Sequence, residues 1–297
     1  MEYKYLRKSG PKVSRIAFGC MSLDLNVNNQ KLINEAIDYG INLFDTADLY
    51  DKGENEKAVG HVLRPIRSQI CLATKVGNQW RADGSGWDWN PSKRYIIQAA
   101  ESSLKRLQTD YIDLYQLHGG TIEDPFDETL EAFEILKTQG KILHYGISSI
   151  RPNVIHRWLE NSNMNSIMMQ YSLLDRRPEE QHLNWLMQKD VGILARGSLA
   201  KGLLALKPPK AHLNWTAPDI KTAQEALSSI SNKRINIHTA IRYVLKQPAI
   251  TSAVVGIRTT KQLRDVISVF DSPKLSESEY EYLRTIIGPN HYTDHLV

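Results

Sequence analysis

Eight times over, the chain alternates between a short apolar run and a longer segment whose apolar positions recur at helical spacing, and this restricts the fold more than any other feature. The short runs lie at 15–19, 43–45, 70–75, 111–117, 144–148, 166–170, 192–195 and 252–256. Between them, Leu32, Ile33, Ala36 and Ile37 precede Gly40, and Ala99, Ala100, Ser103, Leu104 and Leu107 follow a helix start at Asn90 and Pro91. Runs such as ICLAT and GILA are continuously apolar, as strands buried on both faces must be. Strand then helix, repeated, specifies a parallel sheet clad in helices, and eight such units within 297 residues favour a closed barrel over an open sheet. An open nucleotide-binding sheet would also place a glycine-rich phosphate loop at the first strand–helix junction, which here reads GCMSLDLN and holds neither GxGxxG nor GxxxxGK[ST]. No Ser/Gly/Pro linker divides the chain, although KPPKAHLNWTAPD, at 207–219, reads as a long loop or insertion on one face. The expected fold is an α/β (β/α)8 TIM barrel, one domain over 1–297, with a short N-terminal hairpin around Gly10 closing the bottom.

Composition removes several functional classes. With 41% hydrophobic and 24% charged residues the chain can bury a large core, so disorder and collagen-like repetition are excluded. The formal charge of +4 is small and dispersed, so nucleic acid is not implied as a partner. Cys20 and Cys71 lie far apart in apolar runs, give neither a disulfide framework nor a zinc site, and fit a reducing cytoplasm. No apolar run approaches the ~20 residues of a membrane helix, and the N-terminus lacks a signal-peptide stretch, so neither membrane insertion nor export is expected. Oligomeric state is not encoded in any pattern of the sequence.

In a barrel of this kind the chemistry sits at the C-terminal strand ends. The second strand ends in Asp45, with Tyr50 five residues on; the third ends in Lys75; the fourth ends in His118, followed by Gly119 and Gly120. Singly, each has a bland reading: a cap, an ion pair, packing or a hydrogen-bonded core histidine. Together, a carboxylate beside an ammonium can form an ion pair, and the ammonium favours release of a proton from a nearby tyrosine hydroxyl. Such a tyrosine is a usable general acid towards a carbonyl oxygen receiving hydride at its carbon, and a neutral histidine can orient that oxygen. Beyond His118 and Asp45 no converging His and carboxylate ligands stand at strand ends, so neither a metal nor a flavin is expected.

The segment GINLFDTADLY followed by GENEKAVG, together with ATKVG and YIDLYQLHG, resembles the signatures of the aldo-keto reductase superfamily. The resemblance runs from SRIAFGCMS to VVGIRTTKQL, and GISSIRPNVI and MMQYSLLDRRPEE are most similar to a bacterial group of NADPH-dependent reductases without assigned substrates. It implies a tetrad of Tyr50, Asp45, Lys75 and His118, with Tyr50 as proton donor, Lys75 and Asp45 tuning it, and His118 orienting the carbonyl. The implied activity is NADPH-dependent reduction of aldehydes or ketones. The alternative on the same fold is a slow-turnover cofactor-binding redox sensor or scaffold, like channel-associated members of the superfamily.

Without a Rossmann motif, strand ends must hold the dinucleotide. Ser148, Ser149 and Gln170 offer hydroxyl and amide groups to a carboxamide, and by resemblance that is where the nicotinamide sits, with Ser-Ser replacing a commoner Ser-Asn. Gly19, Cys20 and Met21 at the first strand end, and Asp45, border the same site. In RGSLAKGLL, Gly197, Leu199, Lys201 and Gly202 supply amides and an ammonium suited to a pyrophosphate. Arg196 stands where many relatives carry an aromatic that stacks on the nicotinamide; its guanidinium could stack or pair with a phosphate. In GIRTTKQLRD, Gly256, Arg258, Gln262 and Asp265 open a helix where a 2'-phosphate finds donors and a cation, favouring NADPH over NADH, while Val266 replaces a frequent Asn. The loop GNQWRADGSGWDWN carries Trp80, Trp87 and Trp89 as either an aromatic substrate wall or packing onto the barrel. Arg176 and Arg177 are read as solvated surface cations with no role.

Overall fold

In the computed structural model, which describes residues 1–297 other than Lys8, Asn28, Leu206, Ser231 and Asn232, the eight expected runs are strands of one closed parallel barrel. An antiparallel hairpin, β1 (Tyr3–Tyr5) and β2 (Lys12–Ser14), precedes it. The barrel runs β3 (Ile16–Gly19), β4 (Leu43–Asp45), β5 (Cys71–Val76), β8 (Ile112–Leu117), β9 (Ile142–Ser148), β10 (Ser166–Gln170), β11 (Gly192–Arg196) and β12 (Ile250–Gly256), which pairs back onto β3. A second antiparallel hairpin, β6 (Asn78–Trp80) and β7 (Trp87–Trp89), rises from the end of β5.

Among the described residues, ten α-helices clothe the barrel: α1 (Gln30–Asp38), α2 (Glu54–Leu63), α3 (Lys93–Leu107), α4 (Phe126–Thr138), α5 (Pro152–Asn161), α6 (His182–Gln188), α7 (Ala217–Ser229), α8 (Asn236–Lys246), α9 (Thr260–Ile267) and α10 (Glu277–Ile286). Local chemistry sets their starts. Ser92, rather than Asn90, caps α3 by accepting from the Tyr95 amide, and Thr216 and Ser276 form capping boxes with Asp219 and Glu279. The expected insertion at 207–219 therefore splits into a short loop, closed by the His212–Trp215 bridge, and the first turn of α7.

The pleat sorts each strand's residues into two cores. Outward residues such as Phe18, Phe44, Leu72 and Tyr115 pack against the helices. Inward residues Ala17, Leu43, Cys71, Ala73, Leu114, Met168, Leu194 and Val254 fill the barrel together with Leu6 and Val13. Leu6 and Val13 come from the N-terminal hairpin, which closes the bottom as expected. The fit is tight enough that a Cβ on Gly192 would lie 1.9 Å from the Leu6 carbonyl oxygen. Continuing the alternation towards the C-terminal ends, Asp45 follows Leu43, Lys75 follows Ala73, Gln116 and then His118 follow Leu114, Gln170 follows Met168 and Arg196 follows Leu194. Towards the bottom the interior holds mainly apolar residues with the small buried Ser166 and Ser252, and towards the mouth it turns polar and charged.

Candidate active site

Lys75 is the centre of the mouth. Its side chain is fully buried, and an ammonium has three protons to donate. All three find acceptors: Asp45 at 2.8 Å, the Thr46 carbonyl oxygen at 2.6 Å and the Tyr50 hydroxyl at 3.5 Å. Burial alone would lower the Lys75 pKa, but the Asp45 carboxylate and the Tyr50 hydroxyl that accepts from it outweigh this and hold the pKa above its ordinary value. Burial pushes Asp45 upward, with Lys75 opposing that shift. Because Tyr50 accepts from Lys75, its own proton is free to point into the mouth.

The segment between β4 and Tyr50 is pinned at several points. The Thr46 amide donates to the Ala73 carbonyl (2.9 Å), the Asp48 amide to the Lys75 carbonyl (3.3 Å) and the Trp80 indole to the Leu49 carbonyl (3.2 Å). The Thr46 hydroxyl donates to Asn55 on α2, whose amide reaches the Cys20 carbonyl. Directly after Tyr50 the chain passes through Asp51, Lys52 and Gly53 with φ of 49°, 55° and 88°. Left-handed backbone costs roughly 1–2 kcal/mol for each non-glycine residue, so the surrounding bonds must hold this turn, and through it the Tyr50 ring, in place.

His118 meets Tyr50 edge to face, with ring centroids 5.9 Å apart and an interplanar angle of 84°. Its amide donates to the Val76 carbonyl, its carbonyl accepts from the Asn78 side chain, and its Nδ1 is buried without a hydrogen-bond partner. Burial, with Lys75 and Arg196 adding to it, lowers the His118 pKa to about 3, so the imidazole is neutral across the physiological range. Gln116 was not singled out from the sequence. It is fully buried two residues before His118, in register with Lys75, and neither of its amide atoms has a partner. Its alternation with His118 on an inward face was the available signal.

The other candidate residues ring the same end. Gly19 and Gly256 pair across the first and eighth barrel strands; Cys20 is buried, and Met21 is 63% exposed. Ser148 and Ser149 are nearly buried at the end of β9, and the Gln170 amide oxygen accepts from Arg177 at 3.4 Å. Arg196 ends β11 near Tyr50, Asp175 and Asp45, and burial lowers its pKa. After it, Gly197, Ala200, Lys201 and Gly202 all have positive φ and wind into a tight turn (Ala200–Gly202), with Leu199 packed against the core. Arg258, Lys261 and Gln262 are exposed at the start of α9, where Thr259 is the cap; the Gln262 side chain accepts from the Arg258 amide, and Asp265 pairs with Lys261 at 2.7 Å. Val266 is a core residue.

Three aspects differ from the sequence expectation. The tryptophan loop is a β-hairpin in which Trp80 and Trp87 pair across the strands. Trp80 and Trp89 are anchored, the latter donating to Asp124 at 2.8 Å with its ring against Gly77 and Gly119, whereas Trp87 is 47% exposed. Arg176 is no surface cation: it is 3% exposed, paired with Glu179 and donating to the carbonyls of Arg284 and Ile287, a set of acceptors assembled only by the C-terminal segment. Arg177 is likewise engaged, clasping Asp175 through two nitrogens.

Among the described residues no cluster of three or more His, Cys, Asp or Glu could hold a metal ion, and no helix is long and apolar enough to cross a membrane. The family model for the aldo/keto reductase family matches residues 15–287. An uncharacterised oxidoreductase of Bacillus subtilis, YqkF, is 44% identical over 99% of both chains, and the aldo-keto reductase YhdN of the same organism is 30% identical over 97% of this chain and 94% of its own. Among solved structures, the holo form of aldo-keto reductase AKR11C1 from Bacillus halodurans superposes with a TM-score of 0.94 at 43% identity over 99% of both chains. The apo form, over the same coverage, gives 0.85 at 39% identity. Aldo/keto reductases are oxidoreductases that use nicotinamide cofactors and reduce carbonyl groups. On its matched length and these full-length relatives, the chain belongs to the aldo/keto reductase family.

Proposed function

We propose that this protein reduces aldehydes or ketones to alcohols with NADPH, using Tyr50 as general acid. One observation carries the reading: Lys75 spends its three protons on Asp45, Thr46 and Tyr50, so the tyrosine hydroxyl is an acceptor towards the lysine and a donor towards whatever enters the mouth. A bound nicotinamide dinucleotide would supply the hydride. As negative charge grows on the carbonyl oxygen, Tyr50 delivers its proton there, and the neighbouring ammonium stabilises the tyrosinate left behind. Asp45 keeps Lys75 charged in a site with little water, and neutral His118, close to the Tyr50 ring, orients the same oxygen.

The residues present fit such a cofactor. Ser148, Ser149 and Gln170 offer hydroxyls and an amide along adjacent strand ends, and the turn from Gly197 to Gly202, whose Ala200 and Gly202 amides are taken up by the Gly197 and Leu199 carbonyls, presents the exposed Lys201 ammonium. Arg196 makes no ion pair among the described residues and is available to the cofactor. The start of α9, with Arg258 exposed beside it, suits a 2'-phosphate and supports NADPH over NADH. Trp80, anchored near Tyr50, is assigned to the substrate wall with the exposed Trp87, while Trp89 supports the strand ends. The test is a panel of aldehydes and ketones with NADPH, followed at the absorbance of the reduced nicotinamide. Consumption of NADPH dependent on the carbonyl is expected; no consumption with any aldehyde or ketone would contradict the proposal.

A further inference from the structure

Behind the tetrad lies a buried acidic pair that the proposed chemistry does not use. Glu56, at the start of α2, is completely buried and fully satisfied: it accepts from Arg106 Nε (2.6 Å), from the Thr74 hydroxyl (2.6 Å) and from the Ser103 hydroxyl (3.2 Å), and pairs with Arg106 Nη2 at 2.6 Å. Asp48, in the pinned segment between Asp45 and Tyr50, is also buried, and its Oδ1 has no partner. The groups facing it are the Glu56 carboxylate from α2, Arg106 and the Tyr95 hydroxyl from α3, Lys75 from β5, the Tyr115 hydroxyl from β8 and its neighbour's amide at Leu49. Neither cation is free for it. Arg106 is committed to Glu56, and Lys75 has given its three protons to Asp45, Thr46 and Tyr50. Two carboxyls facing one guanidinium in a buried site cannot both ionise cheaply, and Asp48, which receives the Leu49 amide and the Tyr95 hydroxyl but no cation, keeps its proton.

Resting on the reading of Tyr50 and Lys75 given above, we propose that Asp48 is a positioning residue that works as a neutral carboxylic acid, holding the Tyr50 segment against the strand of Lys75, and that loss of its proton limits the enzyme on the alkaline side. Burial first, and Glu56 second, raise its pKa to about 8, so the acid is neutral at ordinary pH and ionises as the medium turns alkaline. Once ionised, Asp48 is repelled by Glu56 and competes with Asp45 and Tyr50 for the Lys75 ammonium. Its amide bond to the Lys75 carbonyl, at 3.3 Å, couples that disturbance directly to the tetrad.

Two measurements test this. Infrared difference spectra between the wild type and Asp48→Asn should contain the carbonyl stretch of a protonated acid near neutral pH, disappearing as the pH passes about 8; carboxylate bands alone throughout that range would overturn the proposal. In single-turnover reduction, Asp48→Ala should slow hydride transfer by about tenfold or more while cofactor affinity stays within about threefold. Asp48→Asn, the isosteric mimic of the neutral acid, should restore the neutral-pH rate and lack the wild type's fall near pH 8. An Asn variant as slow as Ala, or one with the wild-type alkaline fall, overturns it. If the Ala variant does not fold, the Asn profile and the spectra still decide. The infrared measurement needs no turnover, so failure of this inference is distinguishable from failure of carbonyl reduction.

Discussion

The chemistry of the mouth depends on how a few side chains divide their hydrogen bonds. Lys75 with its three acceptors, Tyr50 with its own proton left free to point towards the mouth and His118 kept neutral form one arrangement, and altering any member reassigns the others. Arg258 is separable from them, exposed beside α9 on the eighth barrel strand's end. Its replacement, Arg258→Ala, is therefore expected to raise the KM for NADPH by about tenfold, the equivalent of ~1.4 kcal/mol, with little change for NADH. Steady-state kinetics with both cofactors measures this, and equal changes for both would remove the 2'-phosphate role. Asp45, Tyr50, Lys75 and His118 were legible because each stands at or just beyond the end of an apolar run. Asp48, Glu56 and Gln116 were not. The state of Asp48 depends on Arg106, supplied by a helix 58 positions further along the chain, and nothing in DTADLY signals that the cation is already taken.

Among the helices, α2 and α3 pack closely at Gly60. A Cβ on Gly60 would lie 2.5 Å from the backbone of Leu107, so only glycine lets the two helices cross at this distance. Gly60→Ala forces them apart and, by the usual cost of overpacking, should destabilise the protein by about 1–3 kcal/mol. At roughly 2–4 °C per kcal/mol, calorimetry should record a fall in Tm of several degrees; an unchanged Tm would mean that the crossing is looser. Because α2 carries Asn55 and Glu56, the same change is transmitted towards the back of the tetrad. The eight barrel strands could be read from periodicity to within a residue or two, since strands buried on both faces leave continuous apolar runs. The β6–β7 hairpin could not: its glycines and charges look like a flexible loop, and its order comes from tertiary anchors at Leu49 and Asp124. Trp87 and Trp89, spaced by two, were the only trace of a strand.

At the scale of the whole molecule, the barrel separates stability from chemistry. Leu6 and Val13 help to seal the floor, where Ser166 and Ser252 are also buried, while Asp45, Lys75, His118 and Arg196 gather at the opposite end, where eight strand ends converge. A dinucleotide gripped by several of those ends should stabilise the entire barrel by mass action, by ~2.7 kcal/mol at a hundredfold excess over Kd. Thermal melts should therefore shift upward with NADPH and less with an equal concentration of NADH; no shift with either would contradict the proposed cofactor. Most direct of all is the comparison of Tyr50→Phe with the wild type, measuring NADPH affinity by tryptophan fluorescence and carbonyl reduction at saturating cofactor. The account predicts a loss of about 10²–10⁴-fold in kcat with affinity retained. Near-normal turnover by the phenylalanine variant would contradict it.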